Sequence, residues 1–162
     1  MALPELTIRP AVEADVPTIL ALIRALAAYE KAGPDAVPIT ETLLRESLFG
    51  TTPAVEGLVA RLGGEAAGYA LYFHNFSSWR GRRGLYLEDL FVLPELRRRG
   101  IGRALLREVA RIAIERGCAR MEWLVLDWNR PAIDFYRSLG AAPLEEWTTF
   151  RIAGPALRAL AE

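Results

Sequence analysis

The chain has 162 residues, 52% of them hydrophobic and 25% charged, which suits one folded domain and argues against disorder. Its 20 basic and 20 acidic side chains cancel, so the protein has no global field that recruits nucleic acid or a membrane surface. We therefore predict a single domain over residues 1–162 without a nucleic-acid or membrane partner.

Hydrophobic periodicity and turn residues predict the elements of the first half of the chain. They are a strand at residues 3–9, a helix from Asp15 to Tyr29, a turn at Gly33-Pro34-Asp35, a helix between Thr40 and Gly50, and strands at residues 55–62 and 66–76. Gly63-Gly64 indicates a hairpin between these two strands. The polar, basic and aromatic stretch at residues 74–84 is typical of a loop.

The second half begins with a mostly apolar strand at residues 85–93, which Pro94 ends because proline cannot donate to a strand ladder. The remaining predicted elements are a helix from Ile101, a strand at 120–127, a helix from Asn129 to Leu139, a strand at 147–152 and a helix at 155–161. This order predicts a mixed α/β fold, one sheet with helices on both sides.

The chain has one cysteine, Cys118, and one histidine, His74. A single cysteine forms no disulfide within the chain, which fits a reducing compartment. One cysteine and one histidine also cannot complete a Cys/His zinc site. The first residues lack the basic and apolar regions of a signal peptide, and no apolar run reaches the length of a membrane span. We expect a cytoplasmic protein that uses no metal.

An arginine-rich glycine loop, Arg97-Arg98-Arg99-Gly100-Ile101-Gly102, joins the apolar strand to the next helix. Glycines at a helix start let the backbone approach a ligand, and the free N–H groups and helix dipole favour an anion such as phosphate. A Walker loop is excluded because Gly-Lys-Ser/Thr is absent, and a dinucleotide fingerprint wants glycine or alanine where Leu105 stands. An ordinary loop with solvated arginines is the remaining alternative.

The form Arg-x-x-Gly-x-Gly resembles the pyrophosphate loop of the GNAT superfamily of N-acetyltransferases. Three further motifs stand at the expected places: Tyr86-Leu-Glu-Asp89, Leu126-Asp-Trp-Asn129 and Phe135-Tyr136. Together they resemble the branch of spermidine/spermine and thialysine N-acetyltransferases over most of the chain. The resemblance implies a single-domain fold with a mixed, mostly antiparallel sheet whose strands splay at an acetyl-CoA slot. It also implies a homodimer.

Acetyl-CoA as co-substrate follows from the same resemblance. The pantetheine arm is expected along the central strand, the pyrophosphate on the glycine loop, and the other side of the slot at the later helix. The implied cofactor-binding residues are Leu90, Phe91, Val92, Arg97, Arg98, Arg99, Gly100, Ile101, Gly102, Arg103, Asn129, Pro131, Ala132, Phe135 and Tyr136. We also expect a strand amide to polarise the thioester carbonyl.

Two residues are the candidates for proton transfer. An alkylamine with a pKa near ~10 must lose a proton before it attacks, and Glu88, a carboxylate in an apolar strand, is the candidate base, acting through water. The alternative is that Glu88 pairs with an arginine or an amide inside the sheet. Tyr136 matches the family's general acid for the leaving thiolate, or else packs its ring in the core. His74 is a weaker alternative base, or is simply hydrogen-bonded.

The acceptor is predicted to be a primary amine of a small molecule. The positions that resemble the family's amine pocket are Tyr29, Glu30, Trp79, Glu88 and Asp89. Asp89 is expected to face away from Glu88 because neighbours in a strand alternate, and Trp79 is either a pocket residue or a loop anchor.

The charges near these positions depart from the polyamine pattern. Lys31 follows Glu30 where acidic residues are expected, and Arg80, Arg82 and Arg83 follow Trp79. This balance favours an amine that bears a carboxylate, of the thialysine or lysine type. The predicted acceptor is such an amino acid or a diamine. A polyamine or a protein amine is the alternative acceptor, and an inactive CoA-binding or sensing module is the alternative function.

Overall fold

A computed structural model of the chain describes residues 4–33 and 35–162; Pro34 of the predicted turn and the start of the predicted first strand lie outside them. In chain order the elements are β1 (Leu6–Pro10), α1 (Val16–Tyr29), α2 (Glu41–Phe49), β2 (Glu56–Leu62), β3 (Glu65–Ser77), β4 (Arg82–Val92), α3 (Ile101–Glu115), β5 (Met121–Glu122), α4 (Arg130–Ser138) and α5 (Gly154–Leu160). Short 3₁₀ turns precede α1 and α3, at Glu13–Asp15 and Pro94–Leu96. The internal contacts of the chain divide it into two compact units, one ending at Leu124 and one of Val125–Glu162.

The first unit holds a five-stranded sheet in the order β1-β2-β3-β4-β5. The first three pairings are antiparallel, and β5 runs parallel to β4. The mixed, mostly antiparallel sheet is thus confirmed. The loop predicted at residues 74–84 is wrong, because β3 continues to Ser77 and β4 begins at Arg82. Beyond Tyr72 the hairpin extends past β2, and its backbone pairs as two strands although the sequence is polar and basic.

Helices cover both faces of this sheet. The α1 and α2 face buries Val59, Tyr69, Leu71 and Phe91 together with the apolar residues of the two helices. The helix α3 contacts β1, β2, β3 and β4 and buries Ile101, Leu105 and Val109. Arg116, the residue after the end of α3, lies over the ring of Tyr72, which follows Leu71 in β3. Because successive residues of a strand face opposite sides, α3 lies on the face opposite α1.

Local capping signals position the helices. The Thr40 hydroxyl accepts a hydrogen bond from Leu43 N, and α2 ends at Gly50 as predicted. Asp15 stands at the N-cap of α1 but makes no side-chain bond to that helix. Its carboxylate, 2% exposed, instead accepts from Val12 N and from the Arg9 guanidinium. The Arg9 bond is the main cause that lowers the pKa of Asp15 to about 2.

Two predicted strands differ from the structure. The strand expected at residues 120–127 shortens to Met121–Glu122, and residues 147–152 do not form a strand. A strand needs a partner as well as a suitable sequence, and residues 142–162 are exposed without one. The predicted helix after Asn129 is confirmed, with Gly140 just beyond it at φ 88°. Among residues 4–33 and 35–162, no helix is long and apolar enough to cross a membrane.

Candidate functional site

The edge of β4 that faces β5 is paired only at its start. Leu85 pairs with Met121 and Tyr86 with Glu122, and the pairing stops there. From Leu87 to Val92 this edge has no strand partner in the described part of the chain. Such an edge presents backbone N–H and C=O groups to a ligand that carries amides. The predicted separation of strands is confirmed, and Leu90, Phe91 and Val92 lie on the separated stretch.

Glu88 occupies a β-bulge at the start of this free edge. Leu71 of β3 is opposite Asp89, whereas the next residue, Tyr72, is opposite Leu87, so Glu88 has no partner residue. A bulge bends its strand and re-aims the side chain. The Glu88 side chain is exposed and, within the described residues, makes neither an ion pair nor a hydrogen bond. The alternative in which Glu88 pairs inside the sheet is therefore wrong for the described part of the chain.

Asp89 lies in different surroundings, on the side of the α1 and α2 core. Its Oδ2 accepts a hydrogen bond of 2.8 Å from the hydroxyl of the buried Tyr69. Burial is the main cause that raises the pKa of Asp89 to about 6; the nearby charges of Glu88 and Glu30 act in the same direction, and the bond from Tyr69 opposes them. Loss of water also raises the pKa of Glu30. Three carboxyl groups thus lie close enough to interact, an arrangement that attracts a cationic amine.

The Arg97 side chain turns away from the glycine loop toward the end of α1. Its guanidinium carbon lies 4.1 Å from the centre of the Tyr29 ring and 5.6 Å from that of Phe91. Its Nε donates to the carbonyl oxygen of Val92 at 3.0 Å. No acidic side chain pairs with it among the described residues. Arg97 thus lies beside Tyr29; the amine-binding role of Tyr29 and Glu30 and the cofactor role of Arg97 both stay predictions.

The glycine loop presents a row of backbone N–H groups. Gly100 stands at the N-cap of α3 with φ 80°, and Arg98 also has a positive φ, 62°. The first loop-to-helix bond runs from Ala104 N to Gly100 O, so the amides of residues 98–103 have no acceptor among the described residues. Successive free amides at a helix start bind anions. The exposed side chains of Arg98, Arg99 and Arg103 add positive charge.

The second unit carries the remaining predicted residues on α4 and at its start. The buried Asn129 caps the helix, its Oδ1 accepting from Ala132 N at 3.4 Å, and Pro131 follows in the first turn. The rings of Phe135 and Tyr136 lie 5.3 Å apart, centre to centre, and both side chains are half-buried.

The structure does not bring Trp79 to the acidic cluster within one chain. Trp79 lies in the turn between β3 and β4 and is 90% exposed. The start of β4 at Arg82 is six residues from Glu88, about 20 Å at roughly 3.3 Å per residue. Arg80, Arg82 and Arg83 are exposed at the same end of the hairpin. Trp79 is thus not packed on the core as a loop anchor.

His74 belongs to a separate group on the α3 side. Its Nε2 lies 3.5 Å from the Arg116 guanidinium, which also binds the Glu56 carboxylate at two oxygens. Burial and then the charge of Arg116 lower the pKa of His74. This contact fits the hydrogen-bonded alternative for His74.

Tyr69 is the residue of this site that the sequence analysis missed. It reads as one more aromatic of a buried strand, and its partner Asp89 is twenty residues away. Only the pairing of β3 with β4, which sets Tyr69 opposite Phe91, brings the two side chains together.

Comparison with known proteins places this geometry in a family. Residues 21–141 match the acetyltransferase (GNAT) family. The chain is 45% identical to a thialysine N-epsilon-acetyltransferase of Bos taurus, over 95% of this chain and 96% of that protein. It is 36% identical to the protein of the same name from Caenorhabditis elegans, over 89% of each. Among solved structures, an integron cassette protein from the mobile metagenome of V. cholerae is similar, with a TM-score of 0.81 and 27% identity over 97% of this chain and 98% of that one.

Proposed function

The chain belongs to the acetyltransferase (GNAT) family and is an N-acetyltransferase. On this basis we propose that its acceptor is a small primary amine of the lysine or thialysine type. The observation that carries the proposal is Glu88, an exposed carboxylate without a partner at a bulge where the edge of β4 becomes free. Glu30 and Asp89 lie near it and favour a cationic substrate.

Acetyl-CoA is the acetyl donor expected of this family, and we assign its recognition to two features. The pyrophosphate binds the free amides of residues 98–103, supported by Arg98, Arg99 and Arg103. The amide groups of the pantetheine arm pair with the free edge at Leu90, Phe91 and Val92. Asn129, Pro131, Ala132 and Phe135 are also proposed as donor-binding residues, as the resemblance to the family implies.

The transfer proceeds by direct attack. A water molecule relays one proton from the substrate ammonium to Glu88, and the neutral nitrogen attacks the thioester carbonyl. A backbone N–H of β4 stabilises the oxyanion. The carbon–sulfur bond breaks and the thiolate takes a proton from the Tyr136 hydroxyl. The acylated nitrogen gives up its remaining extra proton, which restores that hydroxyl and leaves a neutral amide. We expect Tyr136→Phe to keep acetyl-CoA affinity while turnover falls by about 10²-fold or more; turnover within a few-fold of the parent would remove Tyr136 from this role.

An arginine beside the amine pocket supports an acceptor that carries a carboxylate. The curated relatives named above are thialysine acetyltransferases, and thialysine is an amino acid. Within one chain the hairpin arginines favoured by the sequence lie about 20 Å from Glu88 along β4, so they could reach the pocket only from a second subunit. Arg97, which stacks on Tyr29 and has no acidic partner in the described residues, needs no second subunit. We therefore assign the substrate carboxylate to Arg97.

We also propose a cytoplasmic homodimer. The exposed Trp79 supports it, because a tip 20 Å or so from Glu88 in its own chain can serve an amine pocket only from a second subunit. Light scattering of the parent and of Trp79→Ala checks this: the parent should have twice the mass of one chain. A monomeric parent would contradict the dimer and leave Trp79 outside any amine pocket.

The proposed function is tested by acetyl transfer over a panel of amines. Purified protein is given acetyl-CoA and thialysine, lysine, putrescine, spermidine or a lysine-containing peptide, and CoA release yields kcat/KM for each at one pH and salt concentration. We expect thialysine and lysine to exceed the amines without a carboxylate. A wide margin for spermidine would replace the amino acid by a polyamine, and no CoA release with any amine would leave a CoA-binding module.

A further inference from the structure

Two side chains of the sheet, those of Asn75 and Glu122, meet across the strand that lies between them. Asn75 belongs to β3 and Glu122 to β5, and β4 runs between them. The Asn75 Nδ2 nevertheless donates to Glu122 Oε2 at 3.0 Å. Adjacent strands lie about 4.8 Å apart, so the two backbones are separated by roughly 10 Å. The side chains must therefore meet above β4.

Gly84 makes this crossing possible. It is the residue of β4 directly opposite Asn75. A Cβ added to Gly84 would overlap the Asn75 Oδ1 and lie 3.2 Å from Asn75 Cγ. The φ of Gly84 is not among the positive values of the chain, so the backbone conformation does not require glycine. Glycine is required because the Asn75 side chain occupies the space that a Cβ would take.

The choice of asparagine is explained by the bond it gives rather than by burial. Its Oδ1 is buried without a hydrogen-bond partner in the described part of the chain. An apolar side chain of similar size would fill the same space without that unpaired oxygen. Turning the amide over would direct its oxygen at the Glu122 carboxylate. The N–H donated to Glu122 is thus what asparagine adds.

The bridge stands where β5 leaves β4. Glu122 is opposite Tyr86, the last paired position, and β5 has only two residues. Glu122 also forms an ion pair with Arg120, whose Nε lies 3.2 Å from its Oε2, and the Arg120 carbonyl accepts a hydrogen bond from Leu85 N. The backbone contact spans only residues 119–122, so these side-chain contacts add to the placement of β5.

We infer that Asn75, Gly84 and Glu122 form a positioning clamp that sets where β5 separates from β4 and thereby aligns the free β4 edge for the pantetheine arm of acetyl-CoA. The clamp rests on the proposed function, because it acts through the donor site assigned to that edge. None of the three residues touches the reacting atoms. Their effect is on donor binding, so it appears in the KM for acetyl-CoA and not in kcat.

The test exchanges donor and acceptor across the bridge. Asn75→Asp places two carboxylates together, and we expect the KM for acetyl-CoA to rise about tenfold or more, with kcat within about twofold. Adding Glu122→Gln restores one N–H···O bond in the reverse direction, and the KM should return to within about threefold of the parent. Calorimetric affinity for CoA should follow the same order. A double variant that binds CoA no better than Asn75→Asp would overturn the clamp.

A second pair of variants tests the crossing itself. Gly84→Ala should raise the KM for acetyl-CoA in the parent, since its Cβ displaces Asn75. In an Asn75→Ala background the same change should have no further effect, because the crossing side chain is gone. Equal effects of Gly84→Ala in both backgrounds would contradict the inference, and thermal unfolding of each variant separates loss of fold from loss of alignment. A parent that binds no acetyl-CoA would overturn the proposed function together with the clamp, whereas a binding parent without rescue overturns the clamp alone.

Discussion

The two halves of β4 both pair with β3 but differ in what pairs with their other edge. Residues 83–86 hydrogen-bond on both sides, to β3 and to residues 119–122. Residues 87–92 pair with β3 alone, and the bulge at Glu88 lies near the boundary. Because the backbone of residues 83–86 is already paired on both sides, this half of β4 supports the sheet and does not offer an edge to a ligand. The second half keeps hydrogen-bonding capacity for a ligand, and the proposed base stands at its start.

The largest expected effect comes from removing the carboxylate at the boundary. Glu88→Gln cannot take a proton at neutral pH, so kcat/KM should fall by roughly 10²–10⁴-fold. The loss should shrink as pH rises toward the amine pKa near ~10, where the substrate deprotonates unaided. Initial rates of CoA release across pH measure this, with the exposed Glu65→Gln as the matched control. A loss of equal size at every pH would contradict the role of Glu88 as base.

A second prediction compares two glycines, Gly81 just before β4 and Gly100 in the loop after it. Gly81 and Gly100 both have positive φ, 60° and 80°, and a Cβ at either meets no atom within 4 Å. Valine should therefore strain the backbone similarly at both sites. We expect only Gly100→Val to lose acetyl-CoA affinity, by about tenfold or more, because a branched side chain blocks the pyrophosphate from the loop amides. Calorimetry with CoA decides, and unchanged affinity in a folded Gly100→Val would remove the loop from donor binding.

The third prediction concerns how the KM for the amine depends on pH through Asp89. Burial raises the pKa of Asp89 to about 6, so this carboxyl is neutral below that pH and becomes charged as pH rises through it. The KM for an amine should therefore fall as pH rises through about 6, on top of the steady increase in free amine. Asp89→Asn should remove this inflection and raise the KM at neutral pH by about tenfold. An inflection that persists in Asp89→Asn belongs to another group.

The smallest expected effect is on substrate choice. Arg97→Gln should lower kcat/KM for thialysine by about tenfold relative to putrescine, because a charge-assisted bond to the substrate carboxylate is lost. Arg82→Gln, at the far end of β4, should leave the ratio unchanged if the carboxylate is bound near Tyr29. Competition between the two amines in one reaction measures the ratio directly. A shift with Arg82→Gln but not with Arg97→Gln would restore the hairpin arginines as the carboxylate site.

Features that depend on near neighbours could be predicted from the sequence. The start of α3 at Ile101, the helices that begin after Thr40 and after Asn129, and the Gly63-Gly64 hairpin all follow the predictions. Each involves residues within about four positions of one another, where propensity, capping and glycine conformation act directly. The motifs that indicated an acetyltransferase are of this local kind, which is why the family was recognisable from them.

Which side chains meet depends on the three-dimensional packing of the chain. The pairing of β3 with β4 set Glu88 on a bulge and joined Asp89 to Tyr69. The same pairing left Trp79 at the hairpin tip, and the packing of α1 turned Arg97 toward Tyr29. Strand pairing joins residues far apart in the chain and depends on packing over the whole sheet. A segment with a strand-like pattern, such as residues 147–152, therefore forms a strand only when a partner strand is present.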